Sequence, residues 1–473
     1  MIGMTLAQIA EAVGGELYEA AADAMVTRPV VADSRAAEPG GLFVADGAGH
    51  DFAADAVGRG AVAVLASRPL PGLPCVVAPA AEGGARRVDA SVVALGRLAH
   101  AVLERLTDVT VVAVTGSQGK TTTKDLLAQV LSAAGETVAP KGSLNDELGM
   151  PLTALRADEQ TRFLVLEMGA KGLGHIRYLT EIARPDISVV LNVGLAHLGG
   201  FGGKEVTARA KGELVEALLD DGVAVLNADD PLVAAMVTRT TARTVLVGES
   251  AAATVRAEKV RLDGAGRATF ELVTPDGTAE VALGLVGRHH VANALSVAAV
   301  GLAVGMDLAT VAGRLSSAVA LSRWRMEVTE RPDGVTIVND AYNANPDSMR
   351  AALETLPVLA RGRRSWAVLG EMLELGEASA EEHEGIGRLA VRQGVSRLLV
   401  VGEGARAIER GARSEGLSGE ESVFVPDADH ALALLERELR AGDVVLVKSS
   451  RDAGLRHLGD ALRQEARTVE GGA

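Results

Sequence analysis

The chain has 473 residues, of which 48% are hydrophobic and 2% aromatic, and it carries a formal net charge of −15. This length predicts about three domains, and the acidic balance argues against nucleic acid or an anionic membrane surface as a partner. The single cysteine, Cys75, excludes an intrachain disulfide; without a basic leader or a long apolar run, we expect a cytoplasmic, soluble protein with no membrane insertion.

Residues 1–85 are predicted to form a small N-terminal α/β domain. A short amphipathic helix lies in Met4–Val13, and a longer helix from about Arg87 to Leu106 leads into the next domain. Strands are predicted at Val30–Arg35 and Gly41–Ala45 around a turn, and then at Ala61–Leu65 and Cys75–Val77.

Residues 86–320 alternate between strand and helix, which predicts a mostly parallel sheet covered on both faces. In such a sheet, ligands bind at the carboxyl ends of the strands. The charged segment Val255–Val286 predicts an antiparallel excursion, and Val291–Val304 is predicted to be helical. The five main strands are predicted at Val109–Val114, Phe163–Leu166, Ile187–Val193, Val223–Leu226 and Thr244–Val247.

Residues 321–473 begin a second αβ series, which predicts a smaller, doubly wound, Rossmann-like domain. Its strands are predicted at Val335–Val338, Trp366–Leu369, Leu398–Val401, Val423–Val425 and Val444–Val447.

A glycine-rich loop, which starts at Gly116 and runs through Gly119 and Lys120 to Thr123, follows the first strand of the central domain and precedes a helical pattern that opens at Lys124. Such a turn directs backbone N–H groups and the positive end of a helix dipole at one point, which favours a phosphate. Lys120 would reach the β- and γ-phosphates of a nucleotide, and the Thr121 hydroxyl would face Mg²⁺. The loop is shorter than the ordinary P-loop, because Val114 stands where that pattern has its first glycine.

Further polar residues follow strands of the same sheet. Glu167 follows one strand and His197 another, and a carboxylate beside a phosphate loop suits Mg²⁺. Glu167 could instead be a salt-bridged or helix-capping carboxylate, and His197 could be a structural histidine. Asn145 lies in a loop, where a helix cap is the alternative.

The chain resembles the Mur ligase family, ATP-dependent amide-forming enzymes of peptidoglycan precursor synthesis. The resemblance covers essentially the whole chain and implies three domains, the central one binding ATP. Its motifs are Thr115–Thr121, Asn145 with Gly149 and Pro151, Glu167–Gly169, Asn192–His197, Ala210–Glu213, Asn227–Asp230, Gly287–Asn293 and Lys448–Arg451.

Two further motifs, Asp340–Met349 and Leu369–Gly376, are similar to the family member that joins D-alanyl-D-alanine to UDP-MurNAc-tripeptide. This implies those two small-molecule substrates and an acyl-phosphate intermediate, in a protein that we expect to be a monomer. Asp33–Arg35 and Leu42–Ala45 resemble the family's UDP-sugar-binding domain. The third residue of the tripeptide, diaminopimelate or lysine, stays open.

The resemblance also implies roles for individual residues. Catalysis would fall to Lys120, His197 and Lys211. Mg²⁺ would be held by Thr121, Glu167, His197 and Lys211, the lysine as a carbamate. ATP would contact Gly116, Ser117, Gln118, Gly119, Lys120, Thr121, Thr122, Asn293, Arg325 and Asp340. The other substrates would contact Ser34, Arg35, Asn145, Tyr342, Asn343 and Asn345. The chain departs from the family pattern at His290, usually asparagine, and at Ser449, usually glycine.

Two alternatives remain open at this stage. The chain could be a nucleotide switch that binds phosphates without forming a bond, although a switch needs neither a second metal nor the set Glu167, His197 and Lys211. It could also be a sister ligase, either another Mur enzyme or a folylpolyglutamate synthase. The run Tyr342–Pro346 argues against both of these sister ligases.

Overall fold

The computed structural model describes residues 1–80, 88–194, 203–417 and 419–463. Its main sheets, called here the N-terminal, central and C-terminal sheets, follow one another along the chain and are mostly parallel. The predicted α/β class is therefore confirmed. Among the described residues, no helix has the length and apolar character needed to cross a membrane.

The N-terminal sheet has five strands. Strand Glu16–Tyr18 runs antiparallel to its neighbour Cys75–Val77, and the other neighbouring strands are parallel. The helix Leu6–Val13 begins with a capping box between Thr5 and Gln8, and ends at Gly14, whose φ is 69°. In order across the sheet, the strands are Glu16–Tyr18, Cys75–Val77, Ala63–Ala66, Leu42–Val44 and Val30–Val31. Met4–Thr5 pairs with Met25–Val26, and the remaining helical segments are Ser34–Ala36, Gly47–Phe52 and Ala53–Gly58.

The predicted strand Val30–Arg35 is wrong beyond Val31. The Asp33 side chain accepts a hydrogen bond from Arg35 N at 3.0 Å and opens a 3₁₀ turn at Ser34. Val30–Val31 pairs in parallel with Leu42–Val44, so the two segments form no hairpin around a turn.

The central sheet has nine strands. In order, they are Gly277–Val286, Arg267–Thr274, Val255–Leu262, Arg243–Gly248, Val223–Asn227, Ile187–Val190, Thr110–Thr115, Phe163–Glu167 and Thr137–Val138. Neighbours among the first three strands pair antiparallel, and the other neighbouring pairs of the sheet are parallel. This confirms the predicted antiparallel excursion. Its helical segments are Ala90–Arg105, Lys120–Leu131, Gly149–Ala154, His175–Ile182, Lys204–Glu216, Pro231–Ala234, Ala235–Arg239, His290–Ala303 and Leu308–Ser317.

Strand Thr110–Thr115 lies inside this sheet and is buried on both faces. Val112 and Val114 belong to one hydrophobic core, and Val111 and Ala113 belong to the other. Two neighbouring strands end in polar segments beside it, so the loop that follows Thr115 lies between the loops that follow Val190 and Glu167. This is the edge where a parallel sheet binds ligands.

The C-terminal sheet runs in the order Glu327–Glu330, Thr336–Asn339, Val444–Lys448, Ser365–Leu369, Arg397–Val401 and Ser422–Val425. The edge strand Glu327–Glu330 was not predicted, because Val328 is its one apolar residue and glutamates stand at both ends. Helical segments are Pro346–Ala360, Gly376–Ala378, Ser379–Arg392, Glu403–Ala405, Arg406–Ser414, Gly419–Glu421, Ala428–Glu438, Arg451–Ala453 and Leu455–Leu462.

Candidate functional site

The glycine-rich loop is held in place by side chains from two other elements. Gly119 has φ 82°, and a Cβ there would lie 2.6 Å from Asn293 Oδ1, so only glycine fits. The backbone N–H groups of Ser117 and Gln118 donate to Asn192 Oδ1 at 2.9 and 3.0 Å. These two amides are therefore already occupied, and the remaining donors come from the helix that follows.

That helix begins at Lys120, one turn earlier than the predicted start at Lys124. The left-handed Gly119 turns the chain directly into the helix, so Lys120, Thr121 and Thr122 form its first turn, whose N–H groups have no partner within the helix. Lys120 Nζ donates to Gly116 O at 2.7 Å. Burial lowers the pKa of Lys120, the nearby Glu167 carboxylate opposes that shift, and Arg325 adds to it.

Thr121 and Glu167, both predicted as metal ligands, lie together in the structure. The Thr121 hydroxyl donates to Glu167 Oε2 at 2.9 Å, and both residues are almost fully buried. Ser143 Oγ and Asn145 Nδ2 donate to the other carboxylate oxygen at 2.8 and 2.7 Å. Asn145 is therefore not the cap of helix Gly149–Ala154, which has no side-chain cap.

Lys124 was missed by the sequence analysis and anchors the loop that carries Ser143 and Asn145. Its ammonium group is buried, pairs with Asp125 and donates to Pro140 O at 2.8 Å. A lysine on a helix is usually exposed, so only its position inside an apolar helical pattern could have indicated this role.

Lys211 lies on helix Lys204–Glu216 and is only 3% exposed. Burial lowers its pKa well below the ordinary value, and the charge of Lys120 adds to that shift. Two residues further on, Glu213 accepts hydrogen bonds from Gly174 N and Arg177 N at 2.6 and 3.0 Å, which fixes this helix against the start of helix His175–Ile182. His197, predicted to act beside Lys211, lies outside the described residues.

Asn293 and His290 form a buried pair beside the glycine-rich loop. His290 Nδ1 lies 3.2 Å from Asn293 Nδ2, so the ring nitrogen accepts this hydrogen bond. Burial and the neighbouring His289 lower the pKa of His290 well below its ordinary value, and a hydrogen bond with the Val286 backbone opposes them. The Nδ1 contact therefore makes His290 a support for the Asn293 side chain.

Two residues from the part of the chain that forms the C-terminal sheet and its helices, called here the C-terminal part, reach the glycine-rich loop. Arg325 Nη2 donates to Thr121 Oγ1 at 2.8 Å, and Asn345 Nδ2 donates to Ser117 O at 3.4 Å. The Arg325 guanidinium also stacks on the Tyr342 ring at 4.3 Å, and its buried Nε has no hydrogen-bond partner among the described residues. An orphaned buried donor of this kind suits an anionic oxygen.

Asp340 and Asn343 are engaged within the C-terminal part. Lys448 Nζ pairs with Asp340 Oδ2 at 2.6 Å and donates to Asn343 O at 3.1 Å. The Asn343 side chain accepts a hydrogen bond from Ala344 N at 2.9 Å. These contacts organise the run that reaches the loop, and among the described residues no hydrogen bond or ion pair joins either side chain to the loop itself.

Ser449 is accommodated where the family pattern has glycine. It is fully buried and donates to Ser450 O at 3.0 Å. Opposite it stands Gly370, where an added Cβ would lie 2.8 Å from Ser449 Cβ. The glycine at position 370 therefore leaves the room that the serine side chain occupies.

Ser34 and Arg35 lie far along the chain from the other candidate residues, beside the N-terminal sheet. Ser34 is buried, while the Arg35 side chain is 80% exposed and pairs with Asp33 at 2.7 Å. Within the described residues, no hydrogen bond joins either side chain to the glycine-rich loop.

The donor set suits Mg²⁺ held together with phosphates. Mg²⁺ in nucleotide sites usually takes one or two carboxylates and completes its shell with water and phosphate oxygens. The buried Thr121 and Glu167 oxygens meet that requirement. Among the described residues, no group of three or more histidine, cysteine, aspartate or glutamate side chains could hold a metal alone.

Comparisons with known proteins agree with this geometry. The chain matches the Mur ligase middle domain over residues 114–301 and the Mur ligase, glutamate ligase domain over residues 324–451. The UDP-N-acetylmuramoyl-tripeptide–D-alanyl-D-alanine ligase of Mycobacterium tuberculosis is 51% identical over 98% of each chain.

Two solved structures are similar over nearly the whole chain. MurF from Acinetobacter baumannii has a TM-score of 0.85 and 29% identity, and the match covers 98% of this chain and 99% of that one. MurF from Thermotoga maritima, solved in complex with ADP, has a TM-score of 0.77 and 30% identity, covering 93% and 97%. The chain therefore belongs to the Mur ligase family, in the group of the UDP-N-acetylmuramoyl-tripeptide–D-alanyl-D-alanine ligases.

Proposed function

We propose that the protein uses ATP to join D-alanyl-D-alanine to UDP-MurNAc-tripeptide, giving the UDP-linked pentapeptide of peptidoglycan synthesis. The observation that carries the proposal is the contact of Arg325 with Thr121, which in turn binds Glu167. It joins a cation of the C-terminal part to the Thr121 hydroxyl, in the first turn of helix Lys120–Leu131, and through that hydroxyl to the Glu167 carboxylate. An ATP γ-phosphate and a substrate carboxylate would meet at this point.

In the first step, the tripeptide carboxylate attacks the γ-phosphorus of ATP, and ADP leaves. Two anions must approach each other, so the barrier is largely electrostatic repulsion. The Lys120 ammonium and the N–H groups of the first helical turn would neutralise the phosphates, and Arg325 would add a cation from the opposite side. Bound Mg²⁺ would supply further charge neutralisation, held by Thr121 and Glu167.

In the second step, the free amine of D-alanyl-D-alanine attacks the acyl phosphate. A tetrahedral intermediate forms and then expels orthophosphate, leaving the new amide bond. We assign the surroundings of this step to the C-terminal run Tyr342–Asn345, because Asn345 contacts the loop residue Ser117. Asn293 is assigned to the nucleoside end, since it lies against Gly119.

Lys211 is proposed to act as a carbamate that serves a second Mg²⁺, together with His197. An ammonium group cannot ligate a cation, whereas a carbamate offers anionic oxygens. Carbamate formation requires a neutral amine, and burial of Lys211 lowers its pKa in the direction that supplies one.

The experiment is an orthophosphate-release assay with the two substrates supplied singly and together. Release should require UDP-MurNAc-tripeptide, D-alanyl-D-alanine and ATP, and mass spectrometry should identify the UDP-linked pentapeptide. Equal release without the dipeptide would point to a nucleotide hydrolase or switch. Release with a glutamate acceptor instead of the dipeptide would favour a sister ligase.

A further inference from the structure

Arg325 lies between two residues with an unusual backbone conformation. Trp324 has φ 59° and Met326 has φ 48°, and neither is glycine. Side chains with a Cβ rarely adopt positive φ, and they keep it where the surroundings hold it in place. The segment that presents Arg325 is therefore shaped by its contacts and not by local preference.

The Trp324 side chain provides the firmest of these contacts. Its indole Nε1 donates to both carboxylate oxygens of Asp460, at 3.1 and 3.0 Å. Arg323 Nη2 donates to the same carboxylate at 2.7 Å. The guanidinium groups of Arg323 and Arg456 lie 4.9 and 5.6 Å from the indole ring, which adds cation–π attraction.

Backbone hydrogen bonds fix the residues on both sides of Arg325. Trp324 N donates to Glu327 Oε2 at 3.0 Å, and Met326 N donates to Asp340 Oδ1 at 3.0 Å. Trp324 O accepts a hydrogen bond from Tyr342 N at 3.2 Å. All these partners belong to the C-terminal part, whereas the Arg325 side chain crosses to Thr121.

We propose that Trp324 and Asp460 are positioning residues that hold the Arg325 backbone so that its guanidinium reaches the nucleotide end of the site. The proposal rests on the function proposed above for Arg325. Asp460 would fix the indole, the indole would hold the positive φ at Trp324, and Arg325 would then be directed across the interface. Neither residue would touch the substrates.

The test compares Trp324→Phe, Asp460→Ala and Arg325→Ala in steady-state ligation. Trp324→Phe keeps an aromatic ring but removes the Nε1 donor. We expect kcat to fall about 10-fold or more in each positioning variant and about 100-fold in Arg325→Ala, with an unchanged KM for UDP-MurNAc-tripeptide. Arg392→Ala, which removes an exposed ion pair with Glu415 in the same part of the chain, is the matched control and should retain wild-type kcat.

The double variant Trp324→Phe with Arg325→Ala separates positioning from general structure. If Trp324 acts through Arg325, the double variant should match Arg325→Ala within about two-fold in kcat. A further full 10-fold loss would overturn the proposal, as would normal kcat in both Trp324→Phe and Asp460→Ala beside an impaired Arg325→Ala. Wild-type activity of Arg325→Ala would instead remove the proposed role of Arg325 itself.

Discussion

Lys211 differs from an ordinary helix-surface lysine in its burial and in the direction of its pKa shift. We predict that Lys211→Ala loses most ligation but still binds ATP, because Lys120 and the loop remain. Lys211→Arg should fail as well, since arginine keeps the positive charge and cannot carry a carbamate. Steady-state rates and nucleotide titrations measure both effects, and full ligation by the arginine variant would exclude a ligand role.

Lys120 is predicted to stabilise the charge that develops on the transferred phosphoryl group. Lys120→Ala should lower kcat by about 100-fold or more, the usual loss when one preorganised electrostatic contact disappears. The thermal unfolding temperature should change little, because among the described residues the Lys120 side chain makes one hydrogen bond, to Gly116 O. Near-normal turnover in a folded variant would exclude this role.

His290 is predicted to act on ATP through Asn293, because its Nδ1 accepts the Asn293 amide. His290→Ala should raise KM for ATP and leave kcat mostly intact, since a nucleoside contact is equal in the ground and transition states. Asn293→Ala should do the same, and the double variant should lose no more than the worse single variant. An unchanged KM for ATP in His290→Ala would leave His290 with a packing role.

The helix Ser379–Arg392 holds the loop that follows strand Ser365–Leu369 through one histidine. His383 is fully buried; its Nε2 accepts from Met372 N at 2.9 Å and its Nδ1 donates to Ser379 O at 2.7 Å. This pairing requires the neutral ring. Burial lowers the pKa of His383, while the Ser379 hydrogen bond and Glu371 oppose the shift.

Because folding lowers the pKa of His383, its contribution to the free energy of unfolding depends on pH. The unfolded chain takes up this proton near pH ~6.5, whereas the folded chain resists it, so the His383 contribution is complete above that pH and declines as the pH falls. We predict that His383→Gln, which offers one acceptor and one donor without titrating, flattens the loss of thermal unfolding temperature between about pH 7 and about pH 5. An identical pH slope in the variant would contradict this role.

At the scale of elements, periodicity predicted most strands of the central and C-terminal sheets to within one to three residues, because these strands are continuous apolar runs buried on both faces. It predicted the N-terminal sheet less well. Val30–Val31 ends where Asp33 captures the Arg35 amide. In the C-terminal sheet, the edge strand Glu327–Glu330 was not predicted, because it has no apolar stripe.

The candidate site also contains residues that the sequence could predict and residues that it could not. Residues just after strands, such as Thr121 and Glu167, could be predicted because parallel strands place their carboxyl ends together. The capture of two loop amides by Asn192 and the burial of Lys124 depend on packing that the sequence does not display. Their only sequence signal is a polar residue at a position that the pattern makes buried.

Over the whole molecule, the connection between the central and C-terminal parts is fixed at both ends. Gln129 exchanges two hydrogen bonds of 3.0 Å with the Val319 backbone, and Trp324 is bound to Asp460. The predicted domain boundary at residue 320 lies between these anchors and stays a prediction. Arg325 and Asn345 cross the same junction to the glycine-rich loop, so the site is built from both parts.

The central claim is that ATP activates the tripeptide carboxylate as an acyl phosphate at this junction. The most direct measurement is ligation with UDP-MurNAc-tripeptide labelled with ¹⁸O in its terminal carboxylate, followed by mass spectrometry of the released phosphate. The account predicts that one labelled oxygen appears in orthophosphate for each amide formed, because the attacking carboxylate oxygen leaves with the phosphoryl group. Unlabelled orthophosphate, or label in AMP with release of pyrophosphate, would contradict it.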